Sequence, residues 1–295
     1  MAETRDIKTH PFTIYGTERA MRHPRGAHMK TVAINDIQVA YSETAGSDTG
    51  DGPVVLIHGL AEGRDSWSGT QADLSGLHTF AYDLRGHGAT TTGEGAGTLE
   101  QLGQDLVGFL EQVTGPAIVV GFSLGGTVAL WAAAERPDLV RRTVVLGTSS
   151  LVGRSAVQFY VNRIEMAGDT TSREFRNAIR DDTAAALYTA TDELDVVTKA
   201  RLAAIGDGTG YVNAARAMAA LHESPLTPRL ADITTHVDVI GADHDAFCPA
   251  KAARIIVDAL SDVTYREVPN AGHLMNVDNP SAVTAVLREA IAGRN

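Results

Sequence analysis

The chain is expected to fold as an α/β protein with a doubly wound, mostly parallel sheet and a helical lid inserted after the sixth strand. Three observations predict this. Short apolar runs without alternation (Val54–Ile57, Ala117–Val120, Thr143–Leu146) alternate with helix-length segments, the pattern of parallel strands covered on both faces. Residues 151–227 contain no such run and read as helices. Strand-like runs return at His236–Ile240 and Val263–Val268. The expected organisation is therefore an extension (1–30), a first core part (31–150), a helical cap (151–227) and a second core part (228–295).

In order, residues 1–28 are polar and aperiodic and read as a loosely held extension. Thr31–Ile34 and Ile37–Glu43 form a hairpin through Asn35-Asp36. Residues 45–52 are a flexible loop, and Val54–Ile57 is a buried strand ending in His58-Gly59-Leu60. Trp67 stands at a helix start, packed over that loop. Thr79–Asp83 is a strand that runs into the turn 83–88, where Asp83 and Arg85 are expected to pair or hydrogen-bond to hold the turn and His87 to be a turn residue. Thr98–Val113 is an amphipathic helix with Thr98 as its cap and Gln101 at the capping-box position. The cap segment holds helices near 156–167, 171–187, 193–205 and 212–221. Helices 250–260 and 280–292 flank the last strand.

Composition narrows the function classes. The length of 295 residues allows one large α/β domain, with or without an insertion, or two small ones, and 44% hydrophobic with 21% charged residues is an ordinary globular balance. A net charge of −11 without basic runs argues against nucleic acid and anionic membrane as partners. Cys248 is the one cysteine, so no internal disulfide or cysteine metal cluster can form. No stretch reaches transmembrane length, and Glu3, Arg5, Asp6 and Lys8 interrupt any signal-peptide core, so a cytoplasmic protein is expected.

The chemistry concentrates in Ala117–Ala134. A β-rich run meets Gly121-Phe122-Ser123-Leu124-Gly125 and then a helix of small and apolar residues. Strand, sharp turn with one serine, helix is the context of a G-x-S-x-G nucleophile elbow. Glycines two before and two after the serine let strand and helix backbones approach. The helix N-terminus favours negative charge near Ser123, and the Leu124 N–H falls where an oxyanion donor is needed. The Leu60 N–H is the second candidate donor, with His58 bracing its loop. A nucleophilic serine needs a base and the base an orienting carboxylate. His273 follows the last strand on a glycine-bearing loop, and the loop after His236–Ile240 offers Asp243 and Asp245, of which Asp245 is preferred. The loop at 147–150 offers no acid. Cys248 reads as a small buried hydrophobe.

HGLAEGRDSW (58–67), DLRGHG (83–88), GFSLGG (121–126), GADHDAFCP (241–249) and AGHLMNVDNP (271–280) together resemble the α/β-hydrolase superfamily. The resemblance spans most of residues 31–295 and implies a sheet of the α/β-hydrolase type. In that family the acid commonly stands four residues before the proline, which is Asp245 here. Ser123 separates the chain from dehalogenases and epoxide hydrolases, which use an aspartate nucleophile. The fingerprint with a modest lid is similar to esterases, enol-lactonases and perhydrolases, and to hydrolases of vinylogous diketones. It implies hydrolysis of a small, largely apolar ester or lactone by Ser123, His273 and Asp245, with no cofactor and no metal. Carbon–carbon hydrolysis, peracid chemistry and a sensor that retains the triad are the other expectations the resemblance leaves open.

Overall fold

A computed structural model of the protein describes residues 29–293. Eight strands make the main sheet: β1 (Met29–Ile34), β2 (Ile37–Thr44), β3 (Val54–Ile57), β4 (Thr79–Tyr82), β5 (Ala117–Phe122), β6 (Val140–Leu146), β7 (Val237–Ala242) and β8 (Val263–Val268). Across the sheet they lie in the order β1-β2-β4-β3-β5-β6-β7-β8. β2 is antiparallel to both of its neighbours; all other pairs are parallel. The β1–β2 hairpin closes at Ile34 and Ile37, with Asn35 at φ 50°, a left-handed position that asparagine tolerates.

All residues of β3 and β5 are buried, which accounts for their unbroken apolar character. The chain runs outward from β3 to β4, then crosses back to lay β5 on the other side of β3. The crevice at that reversal, outside the carboxyl ends of β3 and β5, is where doubly wound sheets bind ligands. His58 and Ser123 follow directly from those two ends.

Between β6 and β7 the chain makes helices Arg154–Met166, Arg173–Ala186, Leu194–Ile205 and Thr209–Ala220. Phe175, Ile179, Ile205 and Tyr211 form a small core that closes on Ala61, with Leu60 packed against it. The segment is therefore seated on the loop that follows β3.

Several boundaries differ from the sequence expectation, each for a local reason. β6 starts at Val140, before the apolar run, because Arg141 and Arg142 lie within it and Arg142 pairs with Asp51 and Asp238. The helix start expected at Trp67 is found one turn earlier: a 3-10 turn Arg64–Trp67 runs into helix Ser68–Asp73. Gly46–Ser47, in the expected loop, pairs in parallel with Gly76–Leu77. Thr98 caps helix Leu99–Phe109 by accepting the Gln101 N–H at 3.2 Å. The Gln101 side chain does not close the box. It accepts from Ala96 N–H and donates to Glu94 O instead. Of the expected extension, residues 1–28 lie outside the described residues and 29–30 belong to β1. No helix among the described residues is long and apolar enough to cross a membrane.

Candidate active site

Ser123 stands between β5 and helix Leu124–Glu135 at φ 52°, ψ −117°, a conformation costly for any side chain. Close approach on both sides holds it there. A Cβ on Gly121 would lie 2.3 Å from Gly125 O, and one on Gly125 would lie 2.4 Å from Ile57 O and 2.6 Å from His58 O. Gly125→Ala therefore forces the elbow away from β3. We expect a loss of about 3 kcal/mol, read as a lower urea midpoint with an unchanged m-value, and a fall in kcat in the folded fraction.

The structure brings the three sequence candidates together. His273 Nε2 lies 3.0 Å from Ser123 Oγ, and His273 Nδ1 lies 2.8 Å from Asp245 Oδ2 and 3.0 Å from Oδ1. Nδ1–H donating to the carboxylate leaves Nε2 free to accept the serine proton. Asp245 Oδ1 also accepts the N–H groups of Phe247 and Cys248, each at 2.8 Å. Burial alone would raise the Asp245 pKa, but His273 and these N–H groups hold it below the usual carboxylate value. The rings of Phe122 and Phe247 flank His273, with centroids at 4.9 and 5.3 Å. Asp243, the other acid of the loop, instead accepts Asn270 N–H and Ala271 N–H, tying the acid loop to the histidine loop.

The loop after β3 lies against the serine: a Cβ on Gly59 would come 3.3 Å from Ser123 Cβ. His58 is fully buried and accepts the Leu84 N–H at Nε2, 2.9 Å. Its Nδ1–H then donates to Gly59 O at 2.8 Å, so this histidine braces the loop. The Leu124 N–H occupies the first helical position and has no intrahelical acceptor.

Burial holds the His58 pKa down to about 4 and that of His87 down to about 3. Both folded values lie below the unfolded one. Their stability contribution is therefore complete above about pH 6.5 and shrinks as pH falls, because only the unfolded chain gains the protons. Between pH 7 and pH 5 we expect a loss of about 2 kcal/mol per histidine in urea unfolding, and His87→Gln should remove about half of that fall.

Asp83 and Arg85 hold the turn by hydrogen bonds, Asp83 to Ala89 N–H and Arg85 to Thr92 O, and not by pairing with each other. Asp83 binds Arg64 through both its backbone N–H and its guanidinium, and accepts Ala89 N–H. Arg85 forks onto Asp105 at 2.7 and 2.8 Å and reaches Asp36 at 2.7 Å. Each finds its charged partner remote in sequence. His87 is buried in the turn, with Nδ1 on Arg85 O. Cys248 is half-buried, with Sγ 3.3 Å from Ser149 Oγ, and burial pushes its thiol up to about 12.

Three further residues touch the site without a sequence signal of their own. A Cβ on Gly147 would lie 3.1 Å from Asp245 Oδ2 and 3.3 Å from His273 Cε1, so this glycine leaves room for the pair. Asp278 accepts Gly272 N–H beside His273 and the N–H groups of Tyr188, Thr189 and Ala190, linking the histidine loop to the helical segment. Glu62 accepts the Gly59 N–H. A cavity of about 690 Å³ is walled by residues that include Glu62, Arg64, Val197, Arg201 and Asn276; Ser123 and His273 do not line it.

A mostly parallel sheet with a serine at a strand-to-helix elbow, hydrogen-bonded to a histidine and through it to an aspartate, has the form of a serine-hydrolase framework. The chain belongs to the α/β hydrolase fold family, whose model matches residues 52–280. It is 25% identical to 3-oxoadipate enol-lactonase 2 of Acinetobacter baylyi over 265 residues, covering 86% of this chain and 94% of that one. It is 27% identical to a pimeloyl-[acyl-carrier protein] methyl ester esterase of Aromatoleum aromaticum over 262 residues, covering 81% and 98%. The enol-lactonase from Burkholderia xenovorans has the same fold, with a TM-score of 0.77 at 23% identity, over 90% of this chain and all of that one.

Proposed function

We propose that the protein is a serine hydrolase that cleaves the ester or lactone of a small, largely apolar substrate through an acyl-enzyme on Ser123. The observation that carries this reading is the relay from Ser123 Oγ through His273 to Asp245, at 3.0 and 2.8 Å. His273 takes the serine proton as Oγ attacks the carbonyl carbon, while Asp245 holds the imidazole tautomer and the imidazolium that forms. The oxyanion receives the N–H groups of Leu60 and Leu124. His273 then protonates the departing alcohol. Water, activated by the same imidazole, attacks the acyl carbon and releases the acid and Ser123.

Residues 151–227 act as the lid in this reading, and the partner is a small molecule in the cytoplasm. Apolar preference follows from what faces the histidine: Phe247 is 38% exposed, and Phe159 of the lid meets its ring edge-on at 6.1 Å. The enol-lactonase and methyl esterase relatives point to the same class of carbonyl substrate.

The test is a nitrophenyl ester series of increasing acyl length, with a simple lactone, run on the wild type. We expect turnover with a burst of nitrophenol equal to the enzyme present and a best chain length set by the pocket. A folded enzyme inactive on the whole series, yet active on a dienol-diketone, would move the assignment to carbon–carbon hydrolysis. A preference for highly charged esters would overturn the apolar substrate.

A further inference from the structure

Glu62 is a buried carboxyl, 7% exposed, that the reaction above leaves unused. Its Oε2 accepts the Gly59 N–H at 3.2 Å, and its own N–H donates to Gly59 O at 3.3 Å. The same carbonyl takes His58 Nδ1–H. Gly59 C=O and Leu60 N–H belong to one planar trans peptide, so a carbonyl fixed in direction fixes the N–H on the opposite side. The preceding peptide, between His58 and Gly59, is fixed by the carboxyl. Ala61 closes this turn at φ 65°, at a position normally given to glycine, so the loop needs restraint from its neighbours.

We infer that Glu62 is a positioning residue: by holding the Gly59 N–H it keeps the Leu60 N–H aimed at the substrate oxygen. This rests on Ser123 as nucleophile and Leu60 as oxyanion donor. The need for a side chain here is physical. Without it, Gly59 N–H would be a buried donor lacking a partner, and the peptide could rotate to find one. Donors contribute to catalysis only if they are already oriented when charge develops, so a small rotation is costly. Burial raises the Glu62 pKa, against the pull of Arg201 on lid helix Leu194–Ile205, of the Gly59 N–H and of His273.

Glutamine keeps that acceptor and shape; leucine keeps the bulk and removes the acceptor. A fluorophosphonate probe reads the site whatever the natural substrate is, since its phosphoryl oxygen also gains charge as Ser123 attacks. We expect Glu62→Leu to slow Ser123 labelling by about tenfold or more, and Glu62→Gln to label within about threefold of wild type. On a nitrophenyl ester, kcat should fall with the labelling rate while KM changes less than about twofold. Glu62→Met, also without an acceptor, carries the comparison if the leucine variant does not fold. Labelling of the leucine or methionine variant within twofold of wild type would overturn the proposal. So would a glutamine variant as slow as the leucine one, or a change confined to KM. Abolition of labelling in Ser123→Ala separately establishes the nucleophile. If the probe labels another residue, or nothing, the Ser123 reading falls and the role of Glu62 with it.

Discussion

Ser123→Ala is expected to lower kcat on a nitrophenyl ester by roughly 10⁶, with KM and folding unchanged. In the proposed mechanism the serine oxygen is the atom that bonds to the acyl carbon. Cys248 does not take its place, because burial holds its thiol protonated. His273→Ala should cost nearly as much, because the 3.0 Å contact to Ser123 Oγ is the only proton path in the mechanism. The double variant should then be no worse than either single one, since members of one unit do not add. A double loss equal to the product of the two would mean that they act separately. Residual turnover above about one percent in Ser123→Ala would mean that another group is the nucleophile.

Asp245→Asn should lower kcat by about 10⁴ with little change in stability. The amide fits the same space, and its oxygen can still accept Phe247 N–H and Cys248 N–H. Its NH₂ would then face His273 Nδ1. To accept that donor, the imidazole must move its proton to Nε2, where it can no longer receive one from Ser123. Asp243→Asn supplies the contrast. That carboxyl holds Asn270 N–H and Ala271 N–H, so its loss should loosen the histidine loop and cost about tenfold at most. If the two variants lost activity in the opposite order, Asp243 would be the orienting acid.

Much of the architecture was legible in the sequence because it depends on local pattern. Buried parallel strands must be apolar on both faces, so Val54–Ile57 and Ala117–Val120 showed themselves. The elbow was legible because a Cβ at Gly121 or Gly125 would lie 2.3–2.4 Å from a backbone oxygen, so both positions need glycine. The chain order of Ser123, Asp245 and His273, after β5, β7 and β8, placed all three at the carboxyl ends of the strands. Features with mixed composition stayed hidden. The start of β6 was masked by Arg141 and Arg142.

What the sequence determined by itself is the class of fold, the strand ends that carry candidate chemistry, and the helical character of the segment between β6 and β7. Only the tertiary structure decided partners. It sent Asp83 to Arg64 and Arg85 to Asp105, and set Asp245 on His273 and Asp243 on the loop backbone. The physical reason is that periodicity reports which face of an element is buried. A hydrogen bond between residues tens of positions apart depends on how the elements pack, and it leaves no trace in the local pattern.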